Sequence, residues 1–155
     1  MTCYLVRHGE ARPGPDDAAR PLTPEGREAV EGMARRLAAL GVEVAEIRHS
    51  GLVRARETAE ILARRLRPPG GAVPVEGLAP GDDPRVARAA LEGPPAPLML
   101  VGHLPHLGRL AAALVLGSAT REVVRFQPGS AVCLVRAGDG WAVEWALPPE
   151  PAGAR

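Results

Sequence analysis

The stretch TCYLVRHGE, residues 2–10, decides the fold class of this 155-residue chain. It begins with β-prone residues and ends, where the apolar run stops, in Arg7, His8, Gly9 and Glu10. Polar residues directly after a short apolar strand are typical of α/β proteins, in which ligands bind beyond the carboxyl ends of the strands. The same pattern occurs twice more along the chain.

Strand-like and helix-like apolar spacings alternate along the sequence, which predicts an α/β fold, a single-domain three-layer sandwich. We expect a mostly parallel sheet with helices on both faces and one hairpin at its edge. Predicted strands cover residues 2–6, 42–48, 72–75, 97–101, 123–126, 131–136 and 141–146, and the last two form the hairpin. Predicted helices have their N-caps at Thr23, Ser50 and Asp83, and a fourth contains residues 107–114. The domain should span residues 1–147, and residues 148–155 should form a flexible tail.

The composition argues against several classes of protein. Nineteen basic residues face eighteen acidic ones, and the net charge of +1 does not favour a general nucleic-acid or membrane-surface binder. The longest apolar run, residues 110–116, is too short to span a bilayer, and residues 1–10 show no export leader. We therefore expect a cytoplasmic protein. Cys3 and Cys133 lie in apolar strand-like segments and should be small buried residues, with a disulfide between them left open.

Three of the predicted strands end in ionisable residues. The first ends at Arg7 and His8, the second lies just before Ser50 and Arg54, and a later one ends before His103. If these strands are parallel, the side chains converge on one edge of the sheet and form an anion site suited to a phosphoryl group. The planar arginine fork can hold two phosphoryl oxygens, and a neutral histidine can attack phosphorus.

These residues carry a resemblance to a known family. The run Arg7-His8-Gly9-Glu10 resembles the RHG signature of the histidine phosphatase (phosphoglycerate-mutase-like) superfamily. Two later segments, Ser50–Ala59 and Val101–His103, resemble further blocks of that family. The run Arg20-Pro21-Leu22-Thr23 with Gly26, and Leu104-Pro105 after the late histidine, are typical of the SixA-type phosphohistidine phosphatases. The resemblance extends over residues 2–145.

The resemblance implies a covalent mechanism without a metal ion or other cofactor. His8 is the implied nucleophile, and Arg7, Arg54 and His103 are implied to hold the phosphoryl oxygens. One departure is Gly51, which replaces a proline of the family pattern and should loosen that turn slightly.

Further candidates are less specific. Gly9, Glu10, Arg20 and Ser50 are candidate substrate-binding residues; Glu10 could equally orient Arg7 or cap backbone amides, and Arg20 could pair with Asp16 or Asp17. Family members that act on phosphate esters carry a carboxylate general acid, and here the best candidates by position are Asp82 and Asp83, although Asp83 is fully explained as an N-cap. His49 and His106 have no family support and should be structural or exposed, and the zinc-like spacing of His103 and His106 is not expected to bind a metal.

The leading hypothesis is a protein phosphohistidine phosphatase, because imidazole leaves phosphorus with less help from a proton donor than an alkoxide needs. Its partner would be a phosphorylated protein, such as a histidine-containing phosphotransfer domain, or a small phosphorylated substrate. Two alternatives stay open: a general phosphomonoesterase for small sugar or nucleotide phosphates, and a non-catalytic phosphate-binding module. A mutase is disfavoured, because the chain has no insert to hold a second phosphate.

Overall fold

The computed structural model describes residues 1–93 and 95–150, in which strands and helices alternate around one sheet. The strands of these ranges are β1 Thr2–Arg7, β2 Glu46–His49, β3 Ala72–Pro74, β4 Leu98–Gly102, β5 Ala131–Ala137 and β6 Gly140–Leu147. The helices of the same ranges are α1 Pro24–Ala39, α2 Val53–Leu66, α3 Pro84–Ala90 and α4 His106–Leu116.

The sheet has the order β3-β2-β4-β1-β5-β6. The first four strands are mutually parallel, whereas β5 is antiparallel to β1 and forms the edge hairpin with β6. Alternate residues of β1 point to opposite faces: Val6 packs with α1 and α2, and Leu5 packs with α3 and α4. Helices therefore cover both faces, and the predicted three-layer α/β sandwich is confirmed.

Two of the predicted helix caps are confirmed. The side chain of Thr23 accepts a hydrogen bond from the backbone N–H of Gly26 at the start of α1, and Pro24 occupies the first helical position. Asp83 caps α3 in the same way. The predicted cap at Ser50 is wrong, because α2 begins after Leu52 and has no side-chain cap. Ser50 instead directly follows β2, and its hydroxyl is directed at the side chain of His103.

Two of the predicted strands differ from the structure. The predicted strand over residues 42–48 begins only at Glu46, although the N–H of Ala45 still donates to the Pro97 carbonyl at 2.8 Å. Val42 and Val44 are buried in the core without belonging to a strand. The predicted strand over residues 123–126 is wrong as well. The next strand along the chain, β5, already has β1 on one side and β6 on the other, so these residues have no place beside it.

The two cysteines are buried and free, as small core residues. Cys3 packs on the α4 side of the sheet, whereas Cys133 lies opposite Tyr4, whose ring packs on the other side. A disulfide between them, which the sequence left open, is not present, since the pleat directs the two thiols to opposite faces. Burial raises the pKa of Cys3 to about 12, so this thiol is unreactive at neutral pH.

The chain end is described as far as residue 150. Within the predicted tail, the carbonyl of Pro148 accepts a hydrogen bond from Arg36 of α1, and Glu150 lies 3.6 Å from the same guanidinium. Residues 151–155 lie outside the described residues, so the division at residue 147 stays a prediction. None of the helices in the described ranges is long and apolar enough to cross a membrane.

The first turn of α1 should tolerate no side chain at Gly26. A Cβ there would overlap the carbonyl oxygen of Glu10, so we expect Gly26→Ala to destabilise the protein by about 1–3 kcal/mol, the usual cost of overpacking. Gly32, in the same helix, is the matched control: its Cβ would meet only the flexible end of Arg35, at 3.8 Å. Gly32→Ala should be neutral or stabilising by up to ~1 kcal/mol. Urea unfolding of both variants measures the difference, and equal stabilities would contradict the close approach.

Candidate active site

The parallel pairing of β1 with β4 brings His8 beside His103. Arg7 lies opposite Gly102 in the register, and the backbone N–H of His8 donates to the Gly102 carbonyl at 3.0 Å. The centroids of the His8 and His103 rings are 4.9 Å apart, with the ring planes inclined by 49°. Two residues separated by 95 positions in the chain thus meet at the carboxyl edge of the sheet.

The second strand end reaches the same edge from the other side of β4. His49 lies opposite Val101, which places Ser50 next to the end of β4. The Ser50 hydroxyl and Nε2 of His103 are 2.6 Å apart, and either group can donate in this hydrogen bond. The predicted convergence of the three strand ends is therefore observed.

Two arginines complete the positive surroundings of His8. Arg54, in the first turn of α2, is only 4% exposed and so is not a solvated helix residue. Arg7 donates from Nη1 to the carbonyl of Phe126 at 2.8 Å, while its buried Nε has no hydrogen-bond partner among the described residues. The charges of both arginines, and that of Arg20, act on the His8 ring.

The protonation of His8 follows from its burial and from one hydrogen bond. Burial lowers the pKa of His8 to about 4, and the neighbouring guanidinium charges act in the same direction. The ring is therefore neutral at pH 7. Its Nδ1 lies 2.6 Å from the carbonyl oxygen of Gly9, which can only accept, so Nδ1 carries the proton. The lone pair is consequently on Nε2. Burial likewise lowers the pKa of His103, to about 3.

The backbone next to His8 is held by α2. The N–H of Gly9 donates to the Thr58 hydroxyl at 3.0 Å, and this hydroxyl donates to the Arg54 carbonyl at 2.8 Å. A Cβ at Gly9 would lie 2.8 Å from Val30, so glycine permits the close approach of this loop to α1. Thr58 appeared in the sequence only as part of a motif, and its contacts make it a positioning residue for both Gly9 and Arg54.

Gly51 does more than loosen its turn. Its φ of +88° lies in the left-handed region, which proline cannot adopt, and its N–H donates to Nδ1 of His49 at 3.0 Å. The expectation of a slight loosening is therefore replaced by a different turn, in which the glycine supplies both the dihedral angle and the donor. His49 is buried and accepts this hydrogen bond, which gives it a structural role.

The peripheral candidates are engaged with other partners. The carboxylate of Glu10 accepts a hydrogen bond from the Thr23 hydroxyl at 2.8 Å, so it neither orients Arg7 nor caps a backbone amide as the sequence suggested. Arg20 pairs with Asp17 at 3.0 Å and also donates to the Arg12 carbonyl. Of the two alternatives in the sequence, the pairing with Asp17 is found, and the charge of Arg20 acts on His8 from a distance.

Both acid candidates make local structural contacts, and those of Asp83 oppose a role as proton donor. Asp83 caps α3 and is bound by Arg85, which holds the pKa of this carboxyl below its ordinary value. It is therefore ionised at neutral pH. Asp82 accepts the backbone N–H of Ala79 at 3.0 Å and closes the turn before α3. Both carboxylates have local structural tasks that explain their positions.

Asp17, which the sequence named only as a possible partner of Arg20, also binds Arg54. It lies in a short 3₁₀ turn, residues 17–19, within the loop between β1 and α1. Its carbonyl accepts from Nη1 of Arg54 at 2.7 Å, and its carboxylate lies 3.2 Å from Nη2 of the same residue. Hydrogen bonds from Arg20 and then Arg54 lower the pKa of Asp17, so an anion faces the site. The only sequence signal was its spacing of three residues before Arg20.

His106 is fully buried next to the site, where its ring lies near the backbone of Gly77. Burial lowers its pKa, so the ring is neutral. No group of three His, Cys, Asp or Glu side chains within residues 1–93 and 95–150 is placed to hold a metal ion. The spacing of His103 and His106 thus comes without the third ligand that a zinc site requires.

Comparison with known proteins agrees with this geometry. The family model described as histidine phosphatase superfamily (branch 1) matches residues 3–78, which contain Arg7, His8 and Arg54. A solved structure of the protein histidine phosphatase SixA complexed with tungstate superposes with a TM-score of 0.86 and 27% identity, over 96% of this chain and 97% of that one. The chain belongs to the histidine phosphatase superfamily.

Two curated relatives extend the similarity of this histidine phosphatase superfamily member. Phosphohistidine phosphatase SixA of Escherichia coli is 29% identical over 154 residues, which cover 96% of this chain and 94% of the relative. An uncharacterized protein of Picosynechococcus is 42% identical over 124 residues, 76% of this chain and 74% of the relative. Family and fold together support a phosphatase.

The buried histidines should make stability depend on pH. Burial lowers the pKa of His8, His49, His103 and His106, whereas in the unfolded chain each titrates near its ordinary value of about 6.5. Below that pH the unfolded state binds more protons, so the free energy of unfolding should fall as the pH drops from about 6.5 towards 4. Urea unfolding at pH 7.5, 6.0 and 5.0 measures this. An unchanged midpoint across that range would contradict the neutral buried rings.

Asp17 should compete with the phosphoryl group for Arg54. We expect Asp17→Asn to tighten the binding of an oxyanion such as tungstate by up to about fivefold, because an exposed ion pair contributes little. Asp16→Asn is the matched control: it removes the same charge from the same loop, and Asp16 contacts the backbone of Ala18 and not Arg54. Calorimetric titration compares the three proteins. Weaker binding by Asp17→Asn would show that Asp17 orients Arg54 for the ligand.

Proposed function

We propose that this protein is a phosphatase that removes the phosphoryl group from protein phosphohistidine through a covalent intermediate on His8. The observation that supports this most is the hydrogen bond between Nδ1 of His8 and the Gly9 carbonyl. It leaves the unprotonated Nε2 as a nucleophile at the edge where Arg54, Arg7 and His103 also lie. None of the steps proposed below requires a metal ion, because guanidinium groups supply the positive charge.

In the first step Nε2 of His8 attacks phosphorus and the bond from phosphorus to the substrate nitrogen breaks. The other ring nitrogen of the substrate histidine is protonated, so the group departs as neutral imidazole. The ring of His8 becomes cationic, with the phosphoryl group on Nε2 and the proton still on Nδ1. The Gly9 carbonyl stabilises this charge, and Arg7 and Arg54 stabilise the negative charge on the transferring oxygens.

In the second step water attacks the phosphorus atom of phosphorylated His8. The bond from phosphorus to Nε2 breaks, and His8 returns to the neutral form with its proton on Nδ1. The proton lost by water goes to the released phosphate or to solvent. Since both leaving groups are imidazoles, neither step needs a strong general acid.

The state of the carboxylates supports phosphohistidine over a phosphate ester. Expelling an alkoxide benefits from a protonated acid near the leaving group. Asp17 and Asp83 both have pKa values lowered by arginine partners, and Glu10 accepts from Thr23. Asp17 and Asp83 are therefore ionised at neutral pH, and neither holds a proton that it could give to a leaving group. The similarity to SixA of E. coli, whose name states a phosphohistidine phosphatase, supports the same substrate class.

The substrate would be a phosphorylated protein in the cytoplasm, such as a histidine-containing phosphotransfer domain. A general phosphomonoesterase and a phosphate-binding module, the two alternatives that the sequence left open, differ from this proposal in their products. The esterase would release phosphate from small esters, and the binding module would release none.

The test follows the labelled phosphoryl group. Incubation with a ³²P-phosphohistidine phosphotransfer domain, quenched in base, should give acid-labile label on the wild-type protein and none on His8→Ala. His8→Ala should also lose turnover completely while keeping its fold, which circular dichroism checks. His49→Gln serves as a control, because His49 is a buried histidine that does not face the phosphoryl site. It should still become labelled.

Other outcomes separate the alternatives. Rapid hydrolysis of small esters with an untouched phosphohistidine domain would contradict the proposed substrate and favour the esterase. Binding of phosphoprotein without release of phosphate would favour the binding module. Label that persists in His8→Ala would remove His8 from the role of nucleophile.

A further inference from the structure

An open cleft of about 510 Å³ lies between the start of α4 and the segment that leads from α4 to β5. Two of its lining residues continue from the site just described. Leu104 directly follows His103, and Phe126 offers its carbonyl to the guanidinium of Arg7. The cleft, which we call the Arg109 cleft after a residue of its rim, is therefore contiguous with the phosphoryl site.

The lining of the Arg109 cleft combines apolar and basic groups. Leu104, Pro105 and Val124 supply apolar surface, and Leu104 is 38% exposed. Three arginines line the same cleft, at positions 109, 121 and 125. Such a mixture fits a ligand that is itself apolar on one side and anionic on the other.

The charge of the Arg109 cleft is out of proportion to that of the chain. The three arginines are opposed within the lining by one acidic residue, Glu122, which lies 3.4 Å from Arg125. The cleft thus carries two net positive charges, whereas the whole chain has a net charge of +1. For Arg109 and Arg121 the described part of the chain shows no ion pair. The complement of this surface is an acidic one.

The size of the Arg109 cleft favours a protein segment over the remainder of a small substrate. A volume of about 510 Å³ is that of a site for a ligand of many atoms, and an imidazole leaving group would fill a small part of it. A nucleotide base would need an aromatic face for stacking, but Phe126 is only 4% exposed. A protein segment with aliphatic and acidic side chains next to the phosphorylated residue could contact both the apolar residues and the arginines of the cleft.

We propose that the Arg109 cleft binds an acidic, partly aliphatic segment of the phosphorylated protein, an inference that rests on the function proposed above. Phosphoryl transfer occurs at His8, while this neighbouring surface selects the protein that presents the phosphohistidine. The cleft contributes to KM for protein substrates, and small phosphoramidates do not use it.

A pair of peptides tests the charge preference. Both carry one phosphohistidine and two leucines, and their remaining flanking residues are Glu in one and Lys in the other. For the wild-type protein we expect kcat/KM to be about tenfold higher for the Glu peptide than for the Lys peptide. The difference should arise from KM, and it should become smaller at high salt. The double variant Arg109→Glu, Arg121→Glu should abolish or reverse this preference. It should leave hydrolysis of phosphoramidate within twofold of the wild-type rate.

Arg35→Glu is the matched control, because it reverses an exposed charge on α1, outside the Arg109 cleft. It should keep the wild-type preference. If the wild-type protein has equal kcat/KM for the Glu peptide and the Lys peptide, the proposal is overturned. It is also overturned if the double variant loses as much kcat/KM for phosphoramidate as for the Glu peptide. If the wild-type protein hydrolyses nucleoside monophosphates and the double variant does so more slowly, the cleft binds a nucleotide instead of a protein segment.

The failure of the proposed function has a different signature. If neither peptide nor phosphoramidate is hydrolysed, the protein is not the proposed phosphatase, whatever the cleft binds. The binding of the two peptides to His8→Ala can then be measured by titration. Tenfold tighter binding of the Glu peptide would still support the docking surface, provided that adding Arg109→Glu and Arg121→Glu removes the difference. Equal affinities would overturn it.

Discussion

The hydrogen bond from Nδ1 of His8 to the carbonyl of Gly9 is the interaction on which the chemistry of this site depends, because it directs the ring's lone pair to Nε2. The bond can persist only if the short loop after β1 is held still. The backbone N–H of His8 is bound to Gly102 of β4, and that of Gly9 to Thr58 of α2. His8, the proposed nucleophile, is thus oriented by the central sheet and by a helix that covers it, and not by its own loop alone.

In this site the positive charge is carried by arginines, whereas His8 stays neutral. Three arginines act on His8, and their charge together with burial keeps the histidine neutral instead of attracting a proton to it. A neutral imidazole can attack phosphorus while permanently charged guanidinium groups stabilise the oxygens. Asp17 balances part of this charge by its contacts with Arg54 and Arg20. The loop that carries Asp17 therefore affects the charge of the site through these two ion pairs.

Catalysis and recognition are assigned to different parts of the chain. The groups proposed to act on phosphorus lie at the strand ends, where parallel pairing fixes their mutual positions. The proposed docking surface comes from the start of α4 and from the irregular segment before β5. Arg7 joins the two parts, because its guanidinium is bound to the carbonyl of Phe126 in that segment. A surface built on a connecting segment can change its side chains without disturbing the register of the sheet.

The sequence by itself determined the alternation of strands and helices, the caps at Thr23 and Asp83, and the strand ends at which polar residues gather. These features depend on apolar periodicity and on residues within one turn of each other, which the order of amino acids states directly. Only the tertiary structure decided that residues 123–126 lack a strand partner, that Ser50 faces His103 instead of capping α2, and that Asp17 binds Arg54. Each of these depends on which distant segment occupies the neighbouring space, and local spacing along the chain does not contain that information.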